Sequence, residues 1–253
     1  KLRVHRSHTP TSNDSYLRLG FRRNNPVFHT FTLQEITDII YDPTIFIKTK
    51  TYGDEIRTFC TNPGGFVAKE NYYGFICVNG HALKEIKSNN TNFALLVSHE
   101  FSDPFKDPNQ YAEEISALAN KLSGGSVIVQ KYGDLKAGRR STKKRIDEGF
   151  VKPTLKEAVP GDLGLILPYV TMQSLIEMMN ALDHVTPGIA NDHTLFYGVE
   201  AKFYSDRVAC DSNFETKIKN LYVGGDGAGI TRGLAQAGAN GVWIARRIIS
   251  KNN

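Results

Sequence analysis

Residues 216–232 read TKIKNLYVGGDGAGITR and combine three features that occur together at ligand-binding turns. The apolar run Leu221 to Val223 predicts a β-strand. The glycines after it predict a tight turn, and the Ala- and Gly-rich sequence opening at Gly227 predicts an amphipathic helix that reaches about Ile249. We therefore expect a strand, a glycine-rich turn and a helix at the C-terminal end of this chain.

A glycine-rich turn at the start of a helix suits a phosphorylated, dinucleotide-like ligand. The first N–H groups of a helix have no intrahelical partner and carry about half a positive charge, and glycines let the backbone approach a ligand closely. Asp226 would repel a phosphate, so its carboxylate is better suited to accept hydrogen bonds from sugar or ribityl hydroxyl groups. The alternative is a plain strand–turn–helix connection in which glycines serve packing.

The same run resembles the second flavin-binding motif of the glutathione-reductase-type FAD enzymes: a Thr, then Asn-aliphatic-aromatic, then Gly-Asp. In those enzymes the aspartate holds the ribityl chain of FAD, and the next helix points its N-terminus at the pyrimidine edge of the flavin. The resemblance implies the first role for Asp226 and the second for the backbone of residues 229–231. A positive helix dipole there would stabilise negative charge on the reduced flavin. The cofactor-binding residues implied in this way are Gly225, Asp226, Gly227, Gly229, Ile230 and Thr231.

Five motifs in the rest of the chain occur as a set. They are RTFCTNPGG at 57–65, VNGH at 78–81, NTNFALLV at 90–97, YGDL at 132–135 and YGVE at 197–200. Together they resemble the uncharacterised FAD-dependent dehydrogenases of prokaryotes, in which these segments form a domain inserted into the FAD-binding fold and facing the isoalloxazine ring. The resemblance implies an α+β fold in two parts. Residues 1–205 would form the inserted mixed-sheet domain, and residues 206–253 the C-terminal strand, turn and helix of a Rossmann-like FAD-binding domain.

Flavoproteins of this type open with a strand, a G-x-G-x-x-G turn and a helix that bind the pyrophosphate. No such glycine pattern lies near the start of this chain, which begins with Lys1. The sequence therefore predicts the C-terminal part of a longer FAD-dependent oxidoreductase without its adenosine-binding half. We expect weak or absent FAD binding, and no activity, from this chain alone. The expected partners of the whole enzyme are a small-molecule substrate and a nicotinamide nucleotide or another electron donor.

Short β-rich segments dominate the first half of the chain. Each is bounded by Gly, Pro, Asn or Asp, as strands are. The predicted strands are Tyr16 to Phe21, Thr44 to Lys48, Phe66 to Lys69, Phe75 to Val78, Phe93 to Ser98, Ser126 to Lys131 and Thr194 to Tyr204. One predicted helix follows Asp107-Pro108 and ends at Gly124-Gly125; a second, with core methionines, follows Thr171 and ends before Pro187. Strands mixed with helices at irregular intervals indicate an α+β domain.

The composition of the 253 residues, 40% hydrophobic and 23% charged, is typical of a globular protein. No segment approaches the roughly 18 consecutive apolar residues of a membrane helix, so no membrane partner is expected. The three cysteines contain no C-x-x-C pair, and the histidines and cysteines lack metal-ligand spacing. The sequence thus predicts a reduced, cytoplasmic setting and no metal site.

The net charge of +5 is unevenly distributed, because residues 136–145 carry six positive and no negative charges. Solvated loops are the first expectation for this basic segment, and contact with an anion is the alternative. Arg139 and Arg140 could bind a phosphate or carboxylate bidentately. The second hypothesis for function is therefore an anion- or nucleic-acid-binding module using residues 136–145. Nucleic acid is the less expected partner, because no aromatic residues alternate with these charges.

Cys60 and Asn62 belong to the motif FCTNPGG, which predicts a turn. Cys60 is a candidate catalytic residue, because a thiol in such a turn could act against the flavin. A reactive thiol requires neighbouring cations or a helix start, and Arg57 is the basic residue close to it in sequence. An inert, buried thiol is the alternative. Asn62 is a candidate for contact with the substrate or an anion, together with Arg139 and Arg140.

His81 is the second candidate catalytic residue. It follows Asn79-Gly80, a dipeptide that predicts a tight turn, so we expect it at the tip of a loop. An imidazole group suits proton transfer because its unperturbed pKa lies near neutrality. The alternative is an exposed turn histidine without a role. Glu200 and Lys202 alternate with apolar residues along a predicted strand, which predicts an exposed ion pair.

Overall fold

In the computed structural model the chain divides into two compact units, Lys1–Ala201 and Lys202–Asn253. The structure describes the backbone of strands Leu2–Ser7, Tyr16–Leu17 and Phe31–Thr32, and residues 45–99, 101, 103–104, 107–201, 207–231 and 233–252. The predicted domain boundary between residues 205 and 206 lies outside the described residues. Helices and mixed β-sheet are both present, which confirms the α+β class.

The described strands of the first unit form one large sheet and two separate antiparallel pairs. The described strands are β1 (Leu2–Ser7), β2 (Tyr16–Leu17), β3 (Phe31–Thr32), β4 (Phe46–Lys48), β5 (Glu55–Asn62), β6 (Phe66–Tyr72), β7 (Phe75–His81), β8 (Asn90–Val97), β9 (Ile128–Lys131), β10 (Val159–Pro160) and β11 (Leu195–Gly198). The large sheet has the order β10-β9-β11-β1-β8-β5-β4, and β2-β3 and β6-β7 pair separately. In the large sheet, β10 runs parallel to β9, and β11 runs antiparallel to its neighbours β9 and β1.

Four α-helices are described in the first unit, and the boundaries of the first of them follow local signals in the sequence. They are α1 (Pro108–Ser123), α2 (Tyr132–Lys136), α3 (Lys143–Asp147) and α4 (Tyr169–Val185). The Asp107 carboxylate caps α1 by accepting from the Gln110 N–H at 2.9 Å, and Gly124 ends the helix in a left-handed conformation. Both long helices are therefore confirmed close to their predicted bounds.

The core of the first unit lies between α4 and the large sheet. The methionines of α4 are buried, as predicted, and so is Cys77 on β7. The largest fully buried side chains that share this core are Tyr132, Phe196, Ile56, Leu95, Ile128, Leu163, Leu175, Met178 and Met179. Burial of side chains this large supplies the main driving force for folding of the unit.

The β6-β7 hairpin corrects one prediction from the sequence. Its turn is Tyr73-Gly74, where both residues have positive φ and the Gly74 N–H donates to Asn71 Oδ1 at 2.9 Å. A two-residue turn of this kind matches the twist of the strands that it joins. Asn79-Gly80 lies inside β7, opposite residues 67–68 of β6, so the predicted turn before His81 is wrong.

Two further expectations are corrected in the first unit. β11 ends at Gly198, before the predicted end of the strand at Tyr204, and residues 202–206 lie outside the described part of the chain. Side chains along a strand alternate between its two faces. Because β11 ends at Gly198, this alternation does not apply to Glu200. Glu200 is 1% exposed, so the prediction of an exposed ion pair there is wrong.

The described part of the second unit consists of a tight loop, the glycine-rich turn and helix α5 (Leu234–Asn252). The prediction of a strand at Leu221 to Val223 is wrong. In this segment Tyr222 forms a single β-bridge with Glu215. Backbone hydrogen bonds in the loop connect nearby residues instead, for example from Thr216 N to Leu221 O at 2.8 Å. Within the described residues, every helix of the chain is too short or too polar to cross a membrane.

Candidate functional site

The glycine-rich turn of the second unit has a fixed backbone shape. Gly225 has a φ of 72°, a short 3-10 helix covers Asp226–Ala228, and Gly229 follows with a φ of 68°. Both φ values lie in the left-handed region, so the turn favours glycine at these two positions. A Cβ built at Gly225 or Gly227 would meet no atom within 4 Å. Open space therefore surrounds these parts of the turn.

Asp226 supplies the carboxylate of the turn. Its side chain is exposed, and its Oδ1 accepts a hydrogen bond from Thr231 Oγ1 at 2.9 Å. Thr231 is itself buried, and the hydrogen bond from its hydroxyl group orients the Asp226 carboxylate. A carboxylate has about four lone-pair sites, and it can accept hydrogen bonds from several hydroxyl groups at once.

The backbone N–H groups of Gly229, Ile230 and Thr231 are hydrogen-bonded within the turn. Gly229 N donates to the carbonyl oxygen of Asp226 at 2.9 Å. The other two donate to the carbonyl oxygen of Gly225 at 3.2 and 3.4 Å. The resemblance implies that these N–H groups lie at the edge of a flavin. To donate to the flavin, they would have to break their hydrogen bonds within the turn.

The helix after the turn starts later than predicted. α5 begins at Leu234, whereas the sequence predicts a helix opening at Gly227. The first N–H groups of α5 have no intrahelical acceptor, and the positive end of the helix dipole lies at this start. The unpaired N–H groups and the partial positive charge of the helix start therefore lie several residues further along the chain than the sequence predicts.

Asn240 on α5 is a residue of this site that sequence reasoning missed. Its Oδ1 accepts a hydrogen bond from Gly225 N at 2.8 Å. A Cβ at Gly224 would lie 2.5 Å from the same oxygen and 2.7 Å from Ile244 Cδ1, so glycine permits this close contact between turn and helix. A polar residue among the small residues of an otherwise apolar helix face was the signal that could have found it.

In the first unit, the backbone at Gly65 brings two candidate residues together. A Cβ at Gly65 would lie 2.6 Å from Asn62 Cβ and 2.9 Å from the His81 carbonyl oxygen. Asn62 Nδ2 donates to the Cys60 carbonyl oxygen at 2.8 Å and to Asn92 Oδ1 at 3.3 Å. His81 is the exposed last residue of β7, rather than a loop tip. Asn62 and His81 thus flank one buried glycine.

The turn that the motif predicts is formed by Pro63-Gly64, but Cys60 itself lies before it, in strand β5. The strand has a register shift between Phe59 and Asn62, and Cys60 has a φ of 47° inside this bulge. A positive φ is unfavourable for a residue with a Cβ, and such strain is found most often at functional sites. The guanidinium group of Arg57 lies over the ring of Phe59 at 5.3 Å. All three cysteines are described, and no disulfide joins any two of them.

The basic segment 136–145 folds around a buried carboxylate, that of Asp134. The side chain of Asp134 is 3% exposed. Its Oδ1 accepts from Arg139 Nε at 2.6 Å and its Oδ2 from Ser141 Oγ at 2.7 Å, while Arg145 Nε lies 3.9 Å away. Arg139 is therefore held by an internal ion pair, and a ligand anion would have to compete with Asp134 for it.

Most of the remaining cations in this segment also have acidic neighbours. The ion pairs are Lys136–Asp192 at 2.9 Å, Lys143–Asp147 at 2.6 Å and Lys144–Glu148 at 3.8 Å. Arg140 Nη2 donates to the Pro160 carbonyl oxygen at 3.4 Å. Such pairing weakens the field that would attract a polyanion. The hypothesis of an anion- or nucleic-acid-binding module stays a prediction, and this local geometry gives it little support.

A cavity of about 970 Å³ in the first unit was also missed from the sequence. It is lined by Phe46, Ile47, Lys48, Gly53, Asp54, Glu55, Ser98 and His99. His99 Nε2 lies 3.0 Å from Thr171 Oγ1. Burial lowers the pKa of His99, and the nearby carboxylate of Asp54 opposes this shift.

No cluster of three or more His, Cys, Asp or Glu side chains in the described parts of the chain is arranged to bind a metal ion. The chemistry of these sites therefore rests on a carboxylate in an open glycine turn, a thiol in a strand bulge and an exposed imidazole.

Comparison with known proteins identifies the family. Residues 42–203 match the family described as FAD-dependent protein, C-terminal domain-like, and the chain belongs to this family. A protein of Clostridium beijerinckii (strain ATCC 51743 / NCIMB 8052), named Uncharacterized protein, is 29% identical over 207 residues. That alignment covers 78% of this chain and 38% of the relative, so the chain spans well under half of the relative's length. The resemblance to an FAD-dependent protein is confirmed at this level.

Proposed function

We propose that this chain is the C-terminal part of an FAD-dependent oxidoreductase, in which the turn around Asp226 holds the ribityl chain of FAD. Family membership supports the association with FAD. The observation that carries the proposal is the Asp226 carboxylate, which is exposed, lies in an open glycine turn and is oriented by the hydroxyl group of Thr231.

The residues of the turn fit a polyhydroxyl chain. A carboxylate accepts hydrogen bonds from hydroxyl groups, and glycines at 225 and 227 leave space beside it because they lack a Cβ. The N–H groups of residues 229–231 fit less well, since they are already bonded within the turn. The start of α5 at Leu234 is therefore the source of positive dipole charge that we assign to the flavin edge.

The chain's own residues hold and orient, while FAD, when bound, supplies the group that accepts or donates electrons. We assign contact with a small-molecule substrate to the first unit. The approach of Asn62 and His81 at Gly65, and the strained thiol residue Cys60 in the same motif, support this assignment. In this role His81 gives or takes a proton at its exposed imidazole group.

The experiment uses the natural gene product at full length, because the adenosine half of FAD is expected to bind outside this chain. Bound flavin is read from the visible absorbance of the purified protein, and the Kd for FAD from quenching of flavin fluorescence. We expect Asp226→Ala to raise that Kd about tenfold or more, since hydrogen bonds to a charged group contribute roughly 1.5–3 kcal/mol.

The matched control is Asp147→Ala, which removes an exposed aspartate of the first unit that pairs with Lys143. We expect its Kd for FAD to equal that of the wild-type protein. A full-length protein without affinity for FAD would refute the proposed function. Equal Kd values for the two variants would refute the role of Asp226.

A further inference from the structure

The side chain of Asn240 has one bonded and one unbonded end. It is 7% exposed, and its Oδ1 accepts from Gly225 N. Because a backbone N–H can only donate, the atom that faces Gly225 must be the carbonyl oxygen, and this fixes the orientation of the carboxamide. The buried Nδ2 at the other end has no hydrogen-bond acceptor among the described residues.

A buried donor without an acceptor is unfavourable, and such groups in folded proteins nearly always have a partner. The acceptor of Asn240 Nδ2 therefore comes from outside the described residues. The carboxamide is bonded to Gly225, which directly precedes Asp226. A ligand that Asp226 holds by its hydroxyl groups carries oxygen acceptors into this same turn.

We propose that Asn240 is a ligand-binding residue of the glycine turn, whose Nδ2 donates a hydrogen bond to an oxygen atom of bound FAD while its Oδ1 holds Gly225. This inference rests on the proposed function, since FAD is the ligand assigned to the turn. Asn240 thus couples the shape of the turn to the presence of the cofactor, because its Oδ1 accepts from the backbone and its Nδ2 donates to the ligand.

The test is the Asn240→Asp variant of the full-length protein. Aspartate keeps an oxygen for Gly225 N but replaces the Nδ2 donor by an acceptor. We expect the Kd for FAD to rise about tenfold or more, as a lost hydrogen bond and an added unfavourable contact require. The matched control is Asn191→Asp, where an exposed asparagine also accepts from a backbone N–H, that of His193 at 2.9 Å. We expect that control to leave the Kd unchanged.

A second measurement is made on the wild-type protein, and the variant serves only to assign the signals. In the ¹⁵N-labelled wild-type protein, the side-chain NH₂ signals that disappear in Asn240→Asp belong to Asn240. We expect FAD to shift these signals and to slow their exchange with water, as a new hydrogen bond does.

The outcomes separate the two proposals. A wild-type protein that binds FAD, with Asn240→Asp as tight as the control or with unshifted NH₂ signals, would overturn the role of Asn240 and leave the proposed function intact. NH₂ signals already protected without FAD would also overturn it, by assigning the acceptor to the protein. A wild-type protein that does not bind FAD would overturn both.

Discussion

In the first unit Asp134 is buried and bonded to Arg139 and Ser141, whereas in the second unit Asp226 is exposed and bonded to Thr231. Both are aspartates that follow a glycine, in the motifs Gly-Asp-Leu and Gly-Asp-Gly. Asp134 has protein donors on both of its oxygen atoms, so its carboxylate stabilises the fold. Asp226 is exposed, and the glycines on either side of it have open space where a Cβ would lie.

The glycines of the two regions differ in the same way. Gly65 is buried, and a Cβ there would come within 3 Å of both Asn62 and His81. Gly227 and Gly238 would meet no atom within 4 Å. Gly65 thus permits close packing of the protein on itself, as Gly224 does in the second unit, whereas Gly227 and Gly238 leave room beside the turn and the helix. Tertiary packing, rather than residue type, decides which use applies.

The largest effect that we expect from this difference is at Asp134. Asp134→Asn removes the charge that holds Arg139, and its single amide oxygen replaces the two carboxylate oxygens that accept from Arg139 Nε and Ser141 Oγ. We expect the free energy of unfolding to fall by about 2–4 kcal/mol, because a broken buried pair leaves its partner groups unsatisfied. Urea denaturation of the chain, followed by far-ultraviolet circular dichroism, measures this loss.

Asp147→Asn is the matched control for Asp134, since Asp147 pairs with Lys143 on an exposed helix face. Exposed pairs of this type contribute less than about 0.5 kcal/mol. If Asp134→Asn were no more destabilising than the control, Asp134 would be a surface-like residue and the contrast with Asp226 would disappear.

A smaller effect is expected at the glycines. Gly65→Ala should cost about 1–3 kcal/mol of unfolding free energy, because its Cβ meets backbone oxygen atoms that cannot move aside easily. Gly238→Ala should instead stabilise α5 by about 0.5–1 kcal/mol, because alanine is a better helix former and the Cβ enters open space. Thermal unfolding of both variants gives the two signs. Destabilisation by both would contradict the open surface around α5.

Features of the fold that depend on a few adjacent residues could be predicted from the sequence. The cap at Asp107 and the left-handed Gly124 lie next to the helix that they bound, and helical periodicity defines its buried face. The core methionines of α4 follow from the same periodicity. The glycine turn around Asp226 was also predictable as a turn, since its positive φ values require glycine.

Features that depend on distant partners could not be predicted. The motif around Cys60 predicts a turn, which Pro63-Gly64 forms, but Cys60 itself lies in a strand because β8, some thirty residues later, pairs with β5. Asn79-Gly80 carries the sequence of a tight turn and is extended because β6 lies opposite. The contact between Asn240 and Gly225 spans a turn and half a helix; the sequence marks Asn240 as a polar residue among small ones but does not indicate its partner.

Glu177 on α4 is intermediate between Asp134 and Asp226. Its substitution is expected to have the smallest effect on stability. Its carboxylate is exposed, like that of Asp226, but it accepts hydrogen bonds from protein donors, as that of Asp134 does. The donors are Lys50 N, Thr51 N at 3.4 Å and Thr51 Oγ1 at 3.1 Å. The hydrogen bond from Lys50 N is the main cause that lowers the pKa of Glu177 below 4.5.

A carboxyl group whose pKa is lowered in the folded state stabilises the protein above its unfolded pKa, and this contribution is lost as pH falls through the folded pKa. We therefore expect Glu177→Gln to lower the Tm at neutral pH, and the difference from the wild-type protein to shrink below about pH 4.5. The control is Glu148→Gln on the exposed face of the basic segment, where Lys144 is 3.8 Å away. A Tm difference for Glu177→Gln that stays constant from acid to neutral pH would mean that packing, and not the charge-assisted hydrogen bonds, links α4 to the β4-β5 hairpin.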